Sequence, residues 1–231
     1  MKTTTIYWAV FSNLNLQTRQ NLLMKDIESV RKNLASKINS KNNKSSYMAC
    51  VSYHEYFKNT YILKHPYTTE WQYHTNNNNL FNLRLDDSAF VNSYLVDYDL
   101  QWIFFSEDDV ELETTPAFFH QKESDKYGHI LAGSFNISKW FRPISLSWQL
   151  WENVQEIKFK EDDAIAYLKF KTKNKIKLVR FEMTPKLEEI ATGCSDVKQI
   201  LPNLTLTELY ERFTKSNRNK IIMREINSSI E

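Results

Sequence analysis

Apolar and polar residues alternate with a period of two through the middle of this chain, and with a period of three to four near its two ends. From Gln101 onward, Trp102 and Phe104 fall on one side of an extended chain and Ile103 and Phe105 on the other. This predicts a strand buried on both faces that stops at Glu107-Asp108-Asp109. Over residues 145–151, Leu146, Trp148 and Leu150 alternate with Ser147 and Gln149, the pattern of a half-buried strand. Ile157 and Phe159, the acidic turn Glu161-Asp162-Asp163, and then Leu168 and Phe170 between Lys169 and Lys171 predict a hairpin. Ile176 and Leu178 hold one phase while Val179, Phe181 and Met183 hold the other, which predicts a β-bulge near Leu178. Earlier in the chain, strands are predicted over 6–11, 60–64 and 69–74, with Pro66 confined to a bend or edge. Asn76 to Asn79 reads as a turn, and Leu83 as part of a short strand closing on a turn at Asp86-Asp87.

The helical period appears in Leu22, Leu23, Ile27, Val30, Leu34 and Ile38, which share one stripe after Thr18, an N-cap residue. A helix over 18–39 follows, running into the polar loop 36–46. Near the other end, Pro185 opens a short helix with Leu187 and Ile190 inward and Gly193 as its C-cap. Thr205 and Glu208 form a capping box for a helix over 207–214, with Leu206, Leu209, Tyr210 and Phe213 inward. The residues after it extend that helix or fray. The fold class expected is α+β, mostly β: a single domain over 1–231, built as an antiparallel β-sandwich or barrel-like core at 47–183. The helix at 18–39 and a C-terminal helical segment at 185–231 pack on that core.

Composition supports a core without staples. Aromatic residues are 14% of the 231 positions, and each can bury about 150–250 Å². Cys50 and Cys194 lie far apart and form no CxxC pair, so they are read as two free thiols in a reducing compartment. No run approaches the roughly 18 apolar residues of a membrane helix, and the first residues lack the layout of a signal peptide. The expected location is the cytoplasm, with no membrane partner. Thirty basic against 28 acidic residues leave a net charge of +2, so no whole-protein field draws it to nucleic acid. Only 3 glycines occur, and phosphate-cradling loops, dinucleotide fingerprints and G-x-S-x-G elbows are absent.

Candidate chemistry is sparse. The acidic triplets 107–109 and 161–163 are able to offer oxygen ligands or a carboxylate pair, but their positions fit solvated turns, and no metal or cofactor is expected. Cys50 and His54 stand four apart without an orienting Asp or Asn. His120 and His129 can face each other across a turn containing Gly128. The stretch Ser138-Lys139-Trp140-Phe141-Arg142-Pro143 combines aromatics and cations, which suits either a stacking platform with phosphate contacts or a bend whose Trp140 plugs the core. Lys169, Lys171, Lys173, Lys175, Lys177 and Arg180 line what reads as a hairpin, as a basic ribbon or a solvated face. The binding candidates are therefore Lys139, Trp140, Arg142, His120 and His129, and no catalytic residue is assigned.

The segments IYW near the start, KNTYILKHP, FFSEDDVELETTPAFF, GSFNISKWFRP and EDDAIAYLKFKT together resemble a family of uncharacterised proteins from T4-like tailed phages of marine bacteria. That resemblance carries no activity and no catalytic residue. It implies a protein of the infected host's cytoplasm or of the virion. The 133–172 block bears only a weak likeness to the barrel of dUTPase-like enzymes, because its turn is Glu-Asp-Asp and the Gly-rich substrate loops are missing. The expected function is non-enzymatic: binding of a host or phage protein partner. A nucleotide- or small-molecule-binding β-barrel enzyme and a single-stranded nucleic-acid-binding module stay open as alternatives.

Overall fold

The computed structural model describes residues 2–11, 27–40, 50–65, 68–72, 83–84, 94–120, 122–151, 154 and 156–230. The fold is α+β and mostly β, with two sheets face to face and helices on the outside of each. Alternation along β1 (Thr3–Val10) shows how the layers arise. Ile6, Trp8 and Val10 enter the core between the sheets, while Tyr7, Ala9 and Phe11 face the C-terminal helices. The strand β6 (Tyr94–Phe105) does the same, sending Trp102 and Phe104 inward and Ile103 and Phe105 to the helical side. The two-sided burial expected of this segment is what the structure has.

The first sheet runs β13-β1-β6-β10-β8, with β5 (Leu83–Arg84) also on β6. It contains β8 (Gly128–Ile130), β10 (Pro143–Leu150) and β13 (Lys175–Arg180). Its pairs are antiparallel except β1 with β13, which is parallel. The second sheet, all antiparallel, runs β2-β3-β12-β7-β9: β2 (Glu28–Ser29), β3 (Thr60–Lys64), β12 (Ala164–Lys171), β7 (Glu111–Pro116) and β9 (Gly133–Asn136). A separate pair joins β4 (Thr69–Gln72) to β11 (Glu156–Phe159). Trp8 and Trp102 stack at 5.3 Å between the sheets, and Trp148 meets Phe159 edge-on at 5.2 Å. These wide rings fill the interior that few residues have to fill.

Several expectations need correction. The 157–171 segment is not a hairpin, because β11 pairs with β4 and β12 with β3 and β7. The turn 161–163 is instead a kink in a long two-stranded ribbon: the His65 N–H donates to the Asp163 carbonyl, and the Asp162 N–H to the His65 carbonyl. Asp162 takes φ 67 there, a left-handed conformation that Asp tolerates. No register shift occurs in β13. Ile176 and Leu178 face the inter-sheet core between the exposed Lys175 and Lys177, and Phe181, just past the strand, packs on the helical side, so one regular strand whose two faces are covered in turn explains the change of phase. The register shifts lie at 143–145 and 164–166, where Ile165 and Ala166 both enter the core.

The N-terminal helix, α1, spans Val30–Ser40, so Ser29 and Glu28 are strand and residues 36–40 helix rather than loop. Thr18, Leu22, Leu23, the 41–46 end of that loop, His74, the 76–79 turn and Asp86-Asp87 lie outside the described residues. A second helix, α2, covers Val51–Tyr56. Together α1 and α2 cover part of the second sheet through Val30, Tyr53 and Phe57 against Ile62 and Tyr167. On the opposite side, α3 (Pro185–Ile200) starts from Thr184, whose hydroxyl accepts from the Leu187 N–H, and runs straight through Gly193. Gly193 has no left-handed φ and is not a cap. The capping box of Thr205 and Glu208 opens α4 (Leu206–Lys215), with Leu209 and Phe213 buried and Leu206 exposed. The last helix, α5 (Arg218–Ser228), buries Ile222, Met223 and Ile226. Among the described residues no helix is long and apolar enough to cross a membrane.

Candidate functional site

The segment 138–143 is the crossing between sheets, from β9 to β10, and its aromatics turn inward. Trp140 is 6% exposed, edge-on to Tyr210 at 6.2 Å, and Phe141 meets Phe105 edge-on at 5.7 Å. A ring buried to this degree has no face left for a base. Lys139 pairs with Asp109 at 3.0 Å, and Asn136 donates to the same carboxylate at 2.5 Å. These hydrogen bonds, Asn136 first and Lys139 second, hold Asp109 below its usual range. Asp108 is held low likewise by Thr4 and Lys2. The 107–109 triplet thus ties β1 to the crossing segment. Arg142 lies within electrostatic reach of Tyr210 and of Cys194, whose thiol burial pushes up.

His120 and His129 stand in different surroundings. His129, on β8, tilts against Trp151 at 4.9 Å. His120 is 7% exposed, under the covering of the second sheet. Its Nδ1 lies 2.7 Å from the Tyr167 hydroxyl and its Nε2 2.8 Å from Asn33 Oδ1. The Asn33 carbonyl oxygen only accepts, so Nε2 carries a proton. Nδ1 in the neutral ring then accepts from Tyr167, whose oxygen accepts from the Phe119 N–H at 3.2 Å. Asn33 donates at 2.7 Å to Glu28, which Lys64 reaches at 3.3 Å. Desolvation works upward on Glu28, and the bonds from Asn33 and Lys64 outweigh it, leaving the carboxyl below its usual range. Burial pushes Tyr167 well above the ordinary phenol range. The result is one satisfied chain of polar groups running from solvent at Lys64 into the sheet. Among the described residues no three His, Cys, Asp or Glu side chains gather as a metal-ligand set.

Above this chain lies the feature that the residue patterns did not mark. Phe118 is 54% exposed, Phe119 45% and Tyr56 47%. They form one cluster: Phe118 to Phe119 at 5.1 Å, Tyr56 to Phe118 at 6.0 Å, and both phenylalanines against the buried Phe57. Val51, 75% exposed, belongs to the same short helix as Tyr56. The sequence signal was available in Ala117-Phe118-Phe119, since neighbouring aromatics at a strand end cannot both follow one buried face. Cations border the cluster. Lys169 Nζ sits 4.6 Å over the Tyr56 ring, and Arg31 lies within electrostatic reach of Tyr53, itself against Phe119.

The basic ribbon does not survive as one surface, because β12 and β13 belong to different sheets. Lys171 pairs with Glu111 and Glu113 at 2.8 Å, and Arg180 lies over Trp8 at 5.7 Å. Lys173, on the connection between the sheets, and Lys175, which opens β13, instead line a cleft of about 340 Å³ with Arg31, Lys58, Asn59 and Tyr61. No protein-family model, curated protein or solved structure matches this chain.

Proposed function

We propose that this protein acts by binding another protein, through the Tyr56, Phe118 and Phe119 cluster on the outside of the second sheet. The observation that carries the reading is the exposure of two adjacent phenylalanines and a tyrosine in mutual contact. Contiguous apolar surface of this kind is costly to leave in water and marks contact sites, and aromatic anchors carry most of the energy in such contacts. Lys169 and Arg31 border the cluster, against a single carboxylate on α2, Glu55. Charge complementarity makes the occupant an acidic protein segment with an apolar or aromatic anchor. The resemblance to tailed-phage proteins makes that partner a host component or a virion protein, met in the host cytoplasm or in the particle.

Selection from a displayed random-peptide library tests this. Enriched peptides should be acidic with an apolar anchor, and Phe118→Ser/Phe119→Ser should lose at least about tenfold in affinity for them. Lys169→Glu should weaken the same peptides. Peptides that bind the double variant as well as the wild type would sink the reading. So would a dimer in sedimentation that the double variant dissolves, since the occupant would then be a second copy.

A further inference from the structure

We infer that the cleft lined by Arg31, Lys58, Lys173 and Lys175 is an anion site that takes a chain of two or more phosphates carried by a small molecule. Its volume, about 340 Å³, falls in the range of small-molecule sites. Four cations line it and no carboxylate does, in a chain whose whole net charge is only +2. Among the described residues none of the four forms an ion pair. Most of the lysines outside the cleft whose contacts are described have found a carboxylate or an aromatic ring. A single phosphate group brings at most about two negative charges, so four cations lining one cleft match a di- or triphosphate better.

The walls are set before any ligand arrives. Asn59 sits at φ 55 in the left-handed region, which Asn tolerates. From there its Nδ2 donates to the carbonyls of Thr172 at 2.9 Å and Asn174 at 3.0 Å, while its own carbonyl accepts from the Phe170 N–H at 3.0 Å. Asn174 in turn donates to Thr4 at 3.0 Å, and Thr4 to Asp108 at 2.7 Å. The turn bearing Lys58 and the connection that bears Lys173 and leads into Lys175 at the start of β13 are therefore locked together, and binding need not order them. Tyr61 lines the same cleft, and burial raises its hydroxyl's pKa, so it is a neutral donor beside the cations. This ligand is distinct from the protein partner above and shares only Arg31 with the cations that border the aromatic cluster.

Calorimetric titration at low salt with sodium tripolyphosphate, pyrophosphate, orthophosphate, ATP and single-stranded oligonucleotides tests the inference. Tripolyphosphate and ATP should bind and orthophosphate should not. ATP equal to tripolyphosphate makes the phosphate chain the recognised group, and ATP tighter adds its nucleoside; both support the site. Lys58→Glu/Lys173→Glu should lose at least about tenfold, while Lys215→Glu/Lys220→Glu, with the same charge change on α4 and α5, should keep the affinity. Equal losses in the two variants would reduce the effect to the overall field and overturn the site. Affinity that grows with oligonucleotide length, without tripolyphosphate binding, would overturn it in favour of a nucleic-acid strand. Wild-type melting gives a readout independent of variant folding. Tripolyphosphate should raise Tm more than sulfate at matched ionic strength, and equal shifts would overturn the inference. Phe118→Ser/Phe119→Ser should bind tripolyphosphate like the wild type, so the two proposals fail separately.

Discussion

The two sheets are covered by helices in unequal measure, and that inequality separates structure from function in this molecule. Over the first sheet, α3, α4 and α5 span 16, 10 and 11 residues and bury Trp140, Phe141, Phe213 and Met223 completely or nearly so. Over the second sheet, among the described residues, lie only α1, of 11 residues, and the short α2, of 6. They shield Phe57 and Tyr167, yet leave Tyr56, Phe118 and Phe119 half in water. Both layers hold aromatic clusters with ring spacings near 5 to 6 Å. The difference is covering area, so similar chemistry becomes core on one side and contact surface on the other.

The largest expected effect breaks the comparison directly. Phe141, 0% exposed, should cost about 3–5 kcal/mol when changed to Ala, through lost transfer energy and the cavity left behind. Phe118→Ala, at 54% exposure, should cost about 1 kcal/mol or less. Denaturant midpoints at unchanged slope measure both. Comparable losses would mean that the outer cluster is a structural core after all.

What the sequence made legible follows the same division. Period-two burial of Trp102 to Phe105 and the reciprocal bonds of Thr205 and Glu208 are local properties, and both stand in the structure. Partner choice is not local. The alternation of Ile157, Phe159, Leu168 and Phe170 announces strands, but not that β4 and β3, nearly a hundred residues earlier, are their neighbours. Gly193 reads as a helix stop only if nothing follows, yet Cys194 and Val197 still have the C-terminal core to pack against. The cleft was illegible for the same reason: Asn59 and Asn174, which lock it, are 115 positions apart. Of the residues picked for binding, Trp140 and Lys139 hold the crossing between sheets, and His120 sits beneath the aromatic cluster rather than beside His129.

An intermediate effect tests whether His120 supports that cluster from below. His120→Leu removes the acceptor for the Tyr167 hydroxyl and the donor to Asn33, leaving both buried groups short of a partner. The expected loss is about 1–3 kcal/mol. Tyr167→Phe in the His120→Leu background should cost less than it does alone, because the two side chains share one bond. Additive losses in the double-mutant cycle would show that the chain from Glu28 to Tyr167 does not act as a unit.

The smallest effect concerns acid, and it sharpens the contrast between the two coverings. The C-terminal layer is held mainly by apolar packing, and Glu208, the one carboxylate there with a clear downward shift among the described residues, caps an exposed turn. The α1 side depends on Glu28, bonded by Asn33 and Lys64 with Lys32 also in electrostatic reach. Because its folded pKa is depressed, its contribution is fully present above the unfolded value of about 4.3. It is lost as pH falls through the lower folded value. The pair is partly solvated, so the loss should stay under about 1 kcal/mol. Hydrogen exchange followed downward through this window should show α1 and the β2–β3 pair losing protection before α3 and α5. Glu28→Gln should lower their protection at neutral pH and flatten its dependence on acid. If α3 and α5 opened first, or Glu28→Gln left the profile unchanged, the second covering would owe nothing to its charged anchor, and its incompleteness would be a matter of area alone.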